Sequence, residues 1–106
     1  MNILYTRFEP QDSIAVLALD AKKAFDAGFE KIVLNSILFS NIEVAGKIGS
    51  VYGVQSVVGS IDVKRNLFGK FKVYSHSGTK STGRDPVEWA KHLERSGVGE
   101  IMINSI

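Results

Sequence analysis

No cysteine occurs among the 106 residues. That absence removes disulfides, thiolate nucleophiles and thiolate metal sites together, and it suits a reducing cytosol. Long apolar runs are missing as well. The longest, Ser13 to Leu19, is too short to span a bilayer, and the N-terminus lacks the charged region and cleavage site of a secretory signal. The expectation is a cytoplasmic chain with no membrane partner. Neither sign of charge dominates: thirteen Lys and Arg stand against eleven Asp and Glu, a net charge of +2 that argues against a nucleic acid partner. Low-complexity segments, linkers and internal repeats are also absent. With 44% hydrophobic and 23% charged residues, the chain reads as one ordinary globular domain at most.

What is present is alternation. Residues 13 to 27 place Ile14, Leu17, Ala21, Ala24 and Phe25 on one helical face, with Asp12 or Ser13 able to cap the start and Gly28 to end it. Lys31 to Ser36 then reads as a short buried strand with two polar residues at its end. Asn41 is placed to cap a second helix running to about Tyr52, and an apolar strand from Ser56 closes at Asp62. The runs Lys64 to Phe68 and Phe71 to Ser75 flank Gly69-Lys70 and suit a β-hairpin. Asp85, Pro86 and Glu88 open a further helix that ends at Gly97, and Glu100 to Ile106 reads as a third buried strand. Asn2 to Arg7 has the composition of a strand but fits the scheme least well. Strands that are apolar almost throughout are covered on both faces, so the pattern predicts an α/β fold with a parallel sheet.

Strand ends carry the chemistry. Asn35-Ser36, Asp62 and Asn104-Ser105 each close a strand, and in a parallel sheet those ends share one edge. Asp62 is then a candidate general acid or base, tuned by Lys64 or Lys31, or else a cap for the following turn. His76 and His92 lack metal-ligand spacing, and His92 reads as a surface residue; Trp89 reads as core. The basic stretch of Lys64, Arg65, Lys70, Lys72 and Lys80 suits either a phosphorylated molecule or plain solvation. Ser77-Gly78-Thr79-Lys80-Ser81-Thr82-Gly83 lacks nucleotide-loop spacing and reads as a mobile loop over the strand ends, or as a loop with no role.

The blocks Asp20 to Gly28, Glu30 to Ser36, Ser60 to Arg65, Ser77 to Gly83, Val87 to Ala90 and Gly97 to Ile101 closely resemble the cyclase subunit of imidazole glycerol phosphate synthase. The resemblance implies part of a (β/α)8 TIM-type barrel, about three parallel strands with helices plus the inserted hairpin. It covers residues 20 to 106, with 1 to 19 as an atypical N-terminal segment. In that family ammonia from a glutaminase subunit crosses the barrel to a phosphorylated substrate and closes an imidazole ring. The resemblance implies that Asp62 is one of two acid/base carboxylates and that Asn35 and Ser36 hold a substrate phosphate, Ser36 replacing a threonine. It further implies that Lys31 belongs to the ammonia gate at the opposite end of the barrel. Residues Ser77 to Gly83 correspond to an active-site loop, and Asn104 and Ser105 to a Thr-Ser pair at the rim. No cofactor or metal is implied. The first-strand aspartate and second phosphate site have no counterpart here, so the chain alone is expected to be inactive. The hairpin from Asn66 to Tyr74 looks more like relatives that support amidation of a surface-polysaccharide sugar. A further alternative is a structural module that associates with itself to close bare strand edges.

Overall fold

The computed structural model describes residues 3–5, 14–75 and 80–106, the side chains of 3–5 and 14–16 excepted. Helix α1 (Ile14–Asp26) follows strand β1 (Ile3–Tyr5), and strand β2 (Lys31–Leu34) comes next. A short helix α2 (Ile37–Ser40), helix α3 (Glu43–Tyr52) and a 3-10 turn (Val54–Ser56) lead into strand β3 (Val57–Arg65). Strands β4 (Phe71–Ser75) and β5 (Lys80–Ser81) precede helix α4 (Pro86–Arg95) and strand β6 (Glu100–Ser105).

Strands β1, β2, β3 and β6 run parallel in that spatial order, which adds β1 to the three parallel strands expected. Each parallel step spans a helix, as a crossover requires. Ile32, Leu34, Val57, Ile61 and Val63 pack beneath the helices with Leu17, Ala21, Val44, Ile48, Trp89 and Leu93 in one core. The other face of the sheet carries Lys31, Val33, Val58, Ser60, Asp62, Glu100, Met102 and Asn104, because side chains alternate along a strand.

Local signals account for the helix ends. Asp85 caps α4 by accepting from the Glu88 backbone N–H at 3.1 Å, and Pro86 occupies the first turn. Gly28 and Gly97 take φ of 100° and 108° just beyond α1 and α4. Trp89, 4% exposed, lies parallel to Phe39 with ring centroids 4.7 Å apart, and the Arg84 guanidinium sits 4.6 Å from its ring.

Five sequence expectations change. The last strand, expected to be buried, has no buried residue, because no further strand among the described residues covers its outer edge. The strand expected to reach Ser36 stops at Leu34, because Asn35 and Ser36 turn the backbone into α2: their carbonyls accept from Leu38 and Phe39. The cap position of α3 is Ile42, which makes no side-chain cap bond, rather than Asn41. Asp62 does not close its strand. β3 continues to Arg65 because β4 pairs antiparallel with it, Asp62 opposite Tyr74 and Arg65 opposite Phe71. His92 is half-buried rather than a surface residue, its ring tilted against Trp89 at 5.4 Å.

Candidate active site

The parallel register decides which strand-end residues meet. Asp62 stands directly opposite Asn104 across β3 and β6, and Ser60 precedes Asp62 by two positions on the same face. Asn104 Nδ2 donates to Asp62 Oδ1 at 3.1 Å and to Ser60 Oγ at 2.8 Å. From the other side, Asn35 Nδ2 donates to Asp62 Oδ2 at 3.1 Å. The carboxylate thus sits between two amides drawn from neighbouring strand ends. It remains half-buried, so its outer surface stays open to a bound molecule. A carboxylate fixed in this way can accept or return a proton at a group lying over the sheet edge.

Not every candidate joins it. Ser36 lies at the start of α2, next to Asn35. Ser105 has the opposite parity from Asn104 and pairs with Val63 on the helix side of the sheet. Lys80 and Ser81 form β5, paired with Ser75 and Tyr74 of β4. Thr82 is tied to the same strand, its backbone N–H and Oγ1 both donating to the Val73 carbonyl at 2.9 and 2.7 Å. Gly83 follows with φ of 73°. Ser77, Gly78 and Thr79 lie outside the described residues, as does His76.

Lys31 is at the far end of the same sheet face, where its Nζ meets Glu100 Oε2 at 2.6 Å. It lies away from Asp62. Among the described residues Asp62 has no ion pair, and Lys64 Nζ rests 5.5 Å above the Tyr74 ring. Glu100 and Ser60 were not singled out from the sequence. The signal for both was parity: each lies an even number of residues from a candidate on its own strand.

Comparison with known proteins places this geometry in a lineage. A family model described as "Histidine biosynthesis protein" matches residues 17–106. The chain belongs to that family. Histidine biosynthesis proteins of this type are (β/α)8 barrels, and the four parallel strands here are part of one. An imidazole glycerol phosphate synthase subunit HisF of Acidobacterium capsulatum is 45% identical over 87 residues, covering 82% of this chain and 34% of that protein. The HisF subunit of Exiguobacterium sibiricum is 38% identical over 105 residues, covering 99% of this chain and 41% of that protein. The chain therefore spans between a third and about two fifths of the length of these relatives. Within the family frame, Asp62, Asn35 and Asn104 occupy the C-terminal edge of the strands and the Lys31–Glu100 pair the N-terminal edge.

Proposed function

We propose that this chain supplies an arc of an imidazole glycerol phosphate synthase cyclase barrel, residues 20 to 106 with an atypical lead-in at 1 to 19. In that barrel, ammonia from a glutaminase partner closes an imidazole ring on a phosphorylated substrate, yielding imidazole glycerol phosphate and an aminoimidazole carboxamide ribotide. The observation that carries the reading is Asp62 held open to solvent between Asn35 and Asn104 at the sheet edge where such folds bind ligands. Asp62 acts as one acid/base group, Asn35 and Ser36 contact a phosphate, and Asn104 orients the carboxylate. Ser105 follows Asn104 at the end of β6, and Lys80 to Gly83 lie beside β4. Lys31, with Glu100, lies where ammonia enters, on the side of the glutaminase. The setting is the cytoplasm. Holding one of two acid/base carboxylates, the chain alone does not turn over.

Residues 17–106 grafted in place of the matching segment of the Acidobacterium capsulatum subunit give a whole barrel for assay. With ammonia it should form cyclised product, and the Asp62→Asn version should be slower by at least about 100-fold, the scale of a lost acid/base group. Equal rates in both would remove Asp62 from the mechanism. A second reading, carried by the resemblance of the Asn66 to Tyr74 hairpin, is a related subunit serving amidation of a surface-polysaccharide sugar. A graft that binds the glutaminase yet fails to rescue a histidine auxotroph would favour that reading.

A further inference from the structure

We propose that Lys64 and Lys72 form a phosphoryl-binding subsite on the hairpin wall above Asp62, distinct from Asn35 and Ser36. The inference rests on the reading of Asp62 as part of a substrate site.

Beyond Asp62, β3 continues for three residues against β4, and Lys64 falls directly opposite Lys72. Alternation gives both lysines the face that holds Asp62 and Tyr74. Two contacts fix that assignment: Lys64 Nζ lies over the Tyr74 ring, and Arg65 lies 4.9 Å from the Phe71 ring on the opposite face. Like charges directly across an antiparallel pair repel and weaken the ladder. Among the described residues no ion pair offsets them. Both oxygens of Asp62, the acid on this face nearest to them, are engaged by amides.

Two positions along a strand are about 7 Å, so one small molecule can touch Asp62 and both ammonium groups. Paired lysines are flexible point charges suited to the spread charge of a phosphoryl group, whereas planar carboxylates are better matched by the arginine fork. Lys64, resting on an aromatic face, can exchange that weak contact for an anion.

Backbone amide NMR of the 106-residue chain tests this with inorganic phosphate as the probe and acetate at equal ionic strength as the control. Phosphate should shift the amides around Lys64 and Lys72, acetate should not, and Lys72→Met or Lys64→Met should weaken the phosphate effect about tenfold. Both side chains lie at the open hairpin, and methionine retains most of their stems, so the fold should survive; the remaining spectrum checks it. Shifts confined to Asn35 and its neighbours, unchanged by Lys72→Met, would overturn the subsite while leaving the first phosphate contact intact. Equal shifts with acetate, or none with phosphate, would also overturn it. Neither result depends on whether Asp62→Asn abolishes turnover.

Discussion

At Asp62 the two carboxylate oxygens are already occupied by amide donors, so a change of charge at Asn104 acts on it directly. Asn104→Asp replaces a donor that bridges Asp62 and Ser60 by a second acid facing the first across the strand pair. Two adjacent carboxyls do not both ionise readily, and one of them is pushed up. The folded pair then binds protons that the unfolded chain has already released. The penalty is therefore absent below the ordinary carboxylate range, grows as pH rises through it, and is full above the raised value. Urea unfolding should show Asn104→Asp well below the parent at neutral pH and close to it near pH ~4. A deficit independent of pH would mean that the amide acts only by packing. The convergence of Asn35, Asp62 and Asn104 was legible in the sequence because parallel strands align their ends. The Lys31–Glu100 pair was not, because nothing local relates residues 69 positions apart.

Between elements, one tight approach joins the turn after α4 to α3. A Cβ built on Gly97 meets Gly46 Cα at 2.8 Å and Gly46 N at 3.1 Å, both backbone atoms, and Gly97 has φ of 108°. Any side chain there is strained and also forces α3 from the turn. Gly97→Ala should lower stability by about 2–4 kcal/mol, read as a drop in the urea midpoint at constant slope. A loss below ~1 kcal/mol would show that the turn moves freely away from α3. The sequence marked Gly97 as a helix stop, correctly, but the second demand on it comes from Gly46, far away in the chain. The same division holds elsewhere. Periodicity located α1, α3 and α4, and the Asp85 cap marked the start of α4, since those signals are local. The short α2 and the extension of β3 past Asp62 come from tertiary pairing, where a turn and a hairpin partner outweigh the polar residues that suggested a strand end.

Among the described residues the molecule has a well-covered sheet centre and an exposed flank at β6. β6 pairs with β3 on one side and with no further strand among the described residues, and Ile103 on its helix-facing side is 60% exposed. Val87 of α4, also 60% exposed, faces the same open groove of about 770 Å³, which Val63, Phe71, Pro86 and Ser105 help to line. In a (β/α)8 barrel the next strand and helix would cover that edge and that groove. A parallel edge strand beside an apolar flank invites pairing with another copy when nothing else is supplied. The 106-residue chain prepared alone should therefore gain mass with concentration in sedimentation velocity. Ile103→Lys, which places a charge in the groove, should shift that rise to roughly tenfold higher concentration. Grafted into the whole barrel, the same substitution should instead lower stability by about 2–4 kcal/mol, because the lysine would then be buried beneath the following helix. If the isolated chain stays monomeric at all concentrations, the flank is protected by its own residues, and the structural-module reading loses its physical basis.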